Sequence, residues 1–381
     1  MFPVIDTRPA LGAREQGARY GRRCAARIAH SRDTYARLFS QCGLSWAQAR
    51  DKAVAMQPAI RALDPALLDE MRGIAEGSGL GFEDILALNC RSEILPADFL
   101  GDPAAQASAV FEQGECTAVG VAPAASADGK TWLAQNWDWI GTQRDALVLL
   151  RGHAWDGDTR GREFLTLTEA GMLAKIGMGV GAEPDRVAVG LNIIRSRHDG
   201  ERPATPVHPL LRHLMTMPSL AAARARMDAL QSGFGFGAGS DTPAADTAGE
   251  VAAFEVSPRG WREWPPEHGV MTHTNHFLCD ALVPIQHPTT AYLSSETRLA
   301  TARRHTVGRP VGFDALAALL RDEGGDGAGD DGYMAVCRSP DPAIEPDGRV
   351  ESVAGVIMCV EDRAMWVAPG VPSTVDFERV A

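Results

Sequence analysis

Residues Gly114–Trp139 read "GECTAVGVAPAASADGKTWLAQNWDW". Two apolar runs, "CTAVGVAP" and "TWLAQNWDW", flank a turn at Asp128-Gly129. An Asp-Gly pair between such runs predicts a hairpin, because glycine supplies the positive φ that a tight turn needs. The stretch starts its first strand on Cys116 and ends its second on Asn136, Trp137, Asp138 and Trp139. Side chains alternate along a strand, so the two tryptophans share one face and Asp138 takes the other. The tryptophans are expected to pack on the layer beneath while Asp138 looks into a site. A cysteine on a buried strand is ordinarily a small hydrophobe. The residue types alone therefore leave Cys116 as either a core thiol or a nucleophile.

On either side of this stretch the pattern differs. Upstream, "GAREQGARYGRRCAARIAHSRDTYARLFSQCG", "SWAQARDKAVAMQPAIRAL", "DPALLDEMRGIAEGSGL" and "GFEDILALNCRSEIL" carry helical spacing. Gly43 is a stop, and Ser45 and Asp64 are N-caps, the latter followed by Pro65. The small, polar "GDPAAQASAVFEQG" reads as a loop leading to Cys116. Downstream come short runs bounded by Gly, Pro, Asp or Asn: "ALVLLRG", "EFLTLTEAG", "RVAVGLNII", "VAAFEVSP", "GVMTHTNHF", "SVAGVIMCVED" and "AMWVAPG". Helical stretches recur at "HPLLRHLMTM", "SLAAARARMDALQ", "SSETRLATARRHTV" and "GFDALAALLRDEG", and "EGGDGAGDDGY" is a Gly/Asp-rich surface loop. The pattern predicts an α+β protein with layered sheets and flanking helices.

The 381 residues suffice for one large core, and a net charge of −12 argues against nucleic acid or an anionic membrane as partner. The basic stretch "REQGARYGRRCAARIAHSR" reads as the solvated face of a helix. No secretory leader and no membrane span is visible. The seven cysteines are odd in number, scattered and without a CxxC pair, so neither a disulfide framework nor a metal site is indicated. A reducing cytoplasm is the expected compartment.

A nucleophilic Cys116 needs a base. His273 and His276 in "THTNHF" are candidates for a Cys-His dyad. The other solution is a cut just before Cys116. The freed α-amine, with a pKa near ~7.7–8.0, then serves as the base on the same residue. That arrangement needs a carboxylate to hold the amine, a donor for the oxyanion, and a cysteine that opens a strand after a loop.

The motifs in order, "CTAV", "QNWDW", "TEAGMLAKIG", "VAVGLN", "THTNHF" and "SSETRLATARR", with "GAREQGARYGRRCAARI" before them and "GVIMCVEDRAMWVAPG" after, resemble the isopenicillin N acyltransferase-like family. This is the acyl-CoA:6-aminopenicillanic acid acyltransferase family of the N-terminal-nucleophile (Ntn) hydrolases. The resemblance implies a four-layer αββα sandwich with a helical N-terminal segment. It also implies a proprotein that cuts itself before a cysteine. Residues 1–115 would form the small chain, and 116–381 the large chain, within one structural unit. Carried over by motif, Cys116 matches the nucleophile, Asp138 the carboxylate that steadies its α-amine, and Asn275 the oxyanion donor. Arg298 matches a site arginine, and Asn192 an asparagine of the broader bile-salt hydrolase and penicillin V acylase group. Two departures stand out: Glu115 precedes the cut where the fungal acyltransferase has glycine, and Gly179 stands where asparagine is common.

The implied activity is a self-processing cysteine amidohydrolase or acyltransferase that passes an acyl group from an amide or acyl-thioester through Cys116. It requires no metal and no bound cofactor, and coenzyme A enters only as part of an acyl donor. The expected partners are a small acylated amine or acyl-thioester and the chain's own cleaved N-terminal piece; the sequence is compatible with a homo-oligomer. The alternatives are a conventional cysteine peptidase with a Cys-His dyad, or an uncut, catalytically silent binding protein.

Overall fold

In a computed structural model, the described residues are 1–94, 116–288, 291–324 and 334–381. Glu115, the stretch before Cys116 that the sequence reads as a loop, and most of the Gly/Asp-rich segment lie outside them. The strands in chain order are β1 (Val4–Asp6), β2 (Cys116–Val121), β3 (Trp132–Ile140), β4 (Leu147–Asp156), β5 (Thr159–Glu169), β6 (Ile176–Gly179), β7 (Val187–Val189), β8 (Asn192–Ile193), β9 (Ser240–Asp246), β10 (Val251–Ser257), β11 (Gly260–Trp264), β12 (Val270–His273), β13 (Val350–Cys359), β14 (Ala364–Ala368) and β15 (Glu378–Arg379). They form two sheets. One has the order β1-β4-β5-β6-β7-β9-β10-β11, with β8 also on β9. The other has the order β12-β2-β3-β13-β14-β15. All pairings are antiparallel except β1 with β4.

The helices are α1 (Ala13–Gln41), α2 (Trp46–Val54), α3 (Gln57–Leu63), α4 (Pro65–Ser78), α5 (Phe82–Asn89), α6 (Arg91–Ile94), α7 (Val207–Leu214), α8 (Leu220–Ser232), α9 (Ala291–Thr306) and α10 (Phe313–Leu320). α1, α4, α7 and α8 lie against the larger sheet, and α9 and α10 against the smaller one. The sheets face each other where β2 and β3 meet β9, and β12 meets β10. The layer order is αββα, as the resemblance implied. Both faces of the central strands are covered, which is why β2, β3, β9, β10 and β13 are buried along their whole length.

Local chemistry sets several boundaries. Ser45 closes a reciprocal capping box with Gln48 at the start of α2, and the Asp64 carboxylate accepts from the Ala66 N–H at the start of α4. Gly43 and Gly79 take positive φ just after α1 and α4. α1 and α4 cross unusually closely. A Cβ on Gly17 would lie 1.9 Å from the Glu70 carbonyl oxygen, and one on Gly73 would lie 2.0 Å from that of Arg14. The glycines are required there because two backbones occupy the space of side chains. The basic stretch does lie on α1, and Arg22 and Arg23 are exposed.

Residues 1–94 are built into the same body as the rest. β1 is an edge strand of the larger sheet, and Tyr35 of α1 donates to the Glu169 carboxylate of β5 at 2.6 Å. Arg91 of α6 pairs with the same carboxylate at 3.4 Å. Its guanidinium lies over the rings of Tyr35 and Trp139 at 5.0 and 4.9 Å.

Candidate active site

β2 and β3 pair as the hairpin the sequence predicts, but residues 122–131 connect them in place of a two-residue turn. Gly129 has φ 73°, and the Asp128 carboxylate gathers the Ser126 hydroxyl, the Lys130 N–H and the Trp132 indole N–H around the turn. β2 and β3 then pair with Cys116 opposite Trp137 and Thr117 opposite Asn136. Directly opposite residues of an antiparallel pair share a face. Cys116 and Trp137 therefore face the larger sheet, within the main core. Thr117, Asn136 and Asp138 face α9 and α10; the Asn136 amide donates to the carbonyl oxygens of Leu320 and Val336.

Cys116 opens β2 and is 2% exposed. Its main-chain atoms are held by two of the residues singled out in the sequence. The Cys116 N–H donates to Asn275 Oδ1 at 2.7 Å. Arg298 Nη1 donates to the Cys116 carbonyl oxygen at 2.6 Å and to Thr117 Oγ1 at 2.9 Å. Arg298 Nη2 donates to Asn275 Oδ1 at 3.0 Å, closing the ring. The other end of the Asn275 amide, Nδ2, donates to the Ile193 carbonyl oxygen at 2.8 Å. Asn275 thus meets Cys116 through its acceptor oxygen, and one Nδ2–H remains beyond the bond to Ile193. The backbone of Asn275 is fixed in turn by the Ser295 hydroxyl of α9, at 2.8 Å.

Asp138 is buried, and its Oδ1 accepts from the Ser352 hydroxyl at 2.5 Å. Its backbone N–H donates to the Cys116 sulfur. The carboxylate thus leaves the strand on the face away from the thiol, on the side of α9 and α10. Alternation along β3 holds as the sequence predicts: Trp137, opposite Cys116, takes one face and Asp138 the other. Asn192 lies in a buried amide chain. Its Nδ2 donates to the Asp241 carboxylate at 2.9 Å, and its Oδ1 accepts from Gln135 at 3.1 Å. Gln135 also bonds the main chain of Leu191 in both directions, tying the two sheets together.

Both candidate histidines point their rings elsewhere. His273 has its Nε2 at 2.8 Å from Glu255 and its Nδ1 at 3.1 Å from Asp241, all three side chains fully buried. Burial disfavours its charge, but the Asp241 and Glu255 carboxylates outweigh it and raise its pKa to about 9. His276 Nδ1 meets the Ser295 hydroxyl at 2.7 Å. Burial, with the charges of His273 and Arg298, lowers the His276 pKa to about 3. The first is a structural cation and the second a neutral ring.

Sequence reasoning passed over Lys175. It precedes β6 and is 2% exposed, with its Nζ 4.2 Å from the centroid of the Trp137 ring. Burial pushes the Cys116 thiol up, and Lys175 is the foremost charge opposing that rise. Burial pushes the lysine itself down to about 8. The one signal in the sequence is compositional: the chain has three lysines (Lys52, Lys130 and Lys175) among 37 basic residues, and this one sits in an apolar, Gly-rich stretch.

A family model described as acyl-coenzyme A:6-aminopenicillanic acid acyl-transferase matches residues 125–325. That span holds Asp138, Lys175, Asn192, Asn275 and Arg298, and begins downstream of Cys116. Among solved structures, the chain is similar to a mutant of the conjugated bile acid hydrolase from Clostridium perfringens, at 11% identity and a TM-score of 0.38, covering 69% of this chain and 96% of that one. It is also similar to penicillin V acylase from Agrobacterium tumefaciens, at 11% identity and a TM-score of 0.40, covering 67% and 83%. No curated protein sequence matches. Among the described residues, no helix is long and apolar enough to cross a membrane.

Proposed function

Because the chain belongs to the acyl-coenzyme A:6-aminopenicillanic acid acyl-transferase family, we propose that it is a self-processing cysteine amidohydrolase or acyltransferase with Cys116 as its N-terminal nucleophile. The observation that carries this reading is the clamp on Cys116. A cysteine opening a buried strand has its N–H and its carbonyl oxygen held by Asn275 and Arg298, which are themselves bonded to each other. A core thiol needs no such clamp.

Maturation begins when the Cys116 sulfur adds to the carbonyl carbon of residue 115. The tetrahedral adduct expels the Cys116 nitrogen, which takes up a proton, and leaves a thioester. Water cleaves the thioester, giving a carboxylate on residue 115, a free thiol and a free α-amine. Asn275 Oδ1, the present acceptor of the Cys116 N–H, remains placed to accept from that amine. Residues 1–115 become the small chain and stay bound through β1, the α1–α4 pair and the Arg91–Glu169–Tyr35 contacts.

In turnover the α-amine takes the thiol proton, and the sulfur attacks the acyl carbon of an amide or acyl-thioester. The remaining Nδ2–H of Asn275 receives the oxyanion, and Arg298 fixes the asparagine that does so. The leaving amine or thiol departs with a proton from the α-ammonium. The acyl group then passes from sulfur to an amine or to water. No metal and no resident cofactor takes part; coenzyme A enters only as the thiol half of an acyl donor.

The test is to incubate the protein with acylated amines of graded chain length, quench it, and map the acyl adduct by mass spectrometry. An adduct on Cys116, absent from Cys116→Ser, is the expected result. Turnover without an adduct, undiminished in Cys116→Ser, contradicts the reading.

A further inference from the structure

Trp137 and Trp139 lie two residues apart on β3 and so share a face, the face that Cys116 also takes. Each ring carries a buried cation: Lys175 over Trp137 and Arg91 over Trp139. The charge of Arg91 is met by the Glu169 carboxylate. Among the described residues, the Lys175 ammonium makes no ion pair and donates no hydrogen bond; it lies against the π face of Trp137. Burying an ammonium without a counter-ion is costly, and a ring face compensates only part of that cost. Among the described residues, the thiol side of the site therefore holds an ammonium that forms no ion pair, the Glu169 carboxylate being engaged by Arg91.

Cys116, on the same face, is a group able to become its anionic partner. It stands directly across the strand from Trp137, a relation that puts Cβ atoms about 4.5–5.5 Å apart. We propose that Lys175 is the counter-charge of the Cys116 thiolate: an ammonium laid over the Trp137 ring that stabilises the anionic sulfur from the face opposite Asp138. The residue type fits the task. The chain uses arginine for nearly every cation, whereas this position keeps a compact ammonium whose protonation responds to burial. Its effect matters most in the uncut chain, where the Cys116 nitrogen is still an amide and cannot serve as a base. The other charged and titratable groups around the pair are Arg91, Glu169, Asp138 and Arg298, with His208 beyond the lysine and Tyr35 bonded to Glu169. Lys175 acts through the sulfur and is a positioning residue in this account.

The inference rests on the proposed role of Cys116, but its test does not require catalysis. The thiolate is titrated by its ultraviolet absorbance, as the difference between each protein and the same protein carrying Cys116→Ser. The parent is compared with Lys175→Met, Lys175→Gln and Lys175→Arg, with near-ultraviolet circular dichroism as the check on folding. Met and Gln are expected to raise the apparent thiol pKa by about 1 unit or more, and Arg to hold it near the parent value. If Met does not fold, the contrast between Gln and Arg carries the same comparison. Folded Met or Gln variants that titrate like the parent overturn the proposal. So does an Arg variant that shifts as far as Gln, because the effect would then lie in packing. A thiol that titrates as expected in a protein forming no acyl-enzyme would leave the counter-charge standing and remove the proposed function.

Discussion

Arg298 donates to the carbonyl oxygen of Cys116 at 2.6 Å while its other terminal nitrogen donates to Asn275 Oδ1. One planar guanidinium thereby fixes both the main chain of Cys116 and the side chain that receives its N–H. The geometry needs a fork, which lysine lacks. Replacing Arg298 with alanine leaves fully buried acceptors unmet, each costing about 1–3 kcal/mol. Arg298→Ala is expected to lower the urea midpoint and to abolish acyl-enzyme formation. Arg298→Lys should recover part of the stability but little of the activity. Urea titration and adduct mass spectrometry read the two effects separately.

The Asn275 amide has its two ends assigned to different tasks. Asn275→Asp keeps an acceptor for the Cys116 nitrogen but loses the Nδ2 donor. If that donor meets the oxyanion, turnover should fall by about 10²–10³-fold. The variant's fold should survive, since the Ser295 bond to its backbone N–H is untouched. Steady-state kinetics beside a thermal melt checks this.

The α1–α4 crossing gives a stability prediction independent of the chemistry. Gly17→Ala or Gly73→Ala forces a methyl group into the opposing backbone. Each should destabilise by about 1–3 kcal/mol. Gly12→Ala is the control, because nothing lies within 4 Å of the Cβ it would add. Thermal melts of the three variants settle the comparison.

His273 predicts a pH dependence. Its folded pKa of about 9 lies above the ordinary value of 6.5. The folded state thus holds a proton that the unfolded chain releases first. The stabilisation is fully present below pH 6.5 and is lost as pH rises through about 9. Asp241, raised to about 7 chiefly by burial, changes in the same direction. Urea stability should therefore fall between pH 6.5 and 9 in the parent, and fall less in His273→Gln.

What the sequence made legible was local or strongly ordered along the chain. Ser45, Asp64 and Gly43 mark helix ends with their own side chains or backbone freedom, and Asp128-Gly129 marks its hairpin. Cys116, Asn275 and Arg298 carry motif neighbours, and they meet. β9 was illegible because "SDTPAAD" holds a proline and two aspartates, which argue against a strand; it is buried throughout because Asp241 and Asp246 find partners in Asn192 and the Leu220 N–H. Lys175 was illegible for a related reason. A lysine ordinarily signals solvent, and only the ring of a distant tryptophan shows otherwise. Alternation along β3 set Trp137 and Trp139 opposite Asp138, but which of the two faces the Cys116 thiol shares turned on the β2–β3 register, which one strand's sequence does not fix.

The central claim is that Cys116 becomes an N-terminal residue. Intact mass and N-terminal sequencing of the purified full-length protein, beside Cys116→Ala, test it most directly. The expected result is two associated chains from the parent, the larger beginning Cys116-Thr117-Ala118, and one uncut chain from the variant. A parent that stays a single chain on prolonged incubation, or a Cys116→Ala protein cut at the same bond, would contradict it.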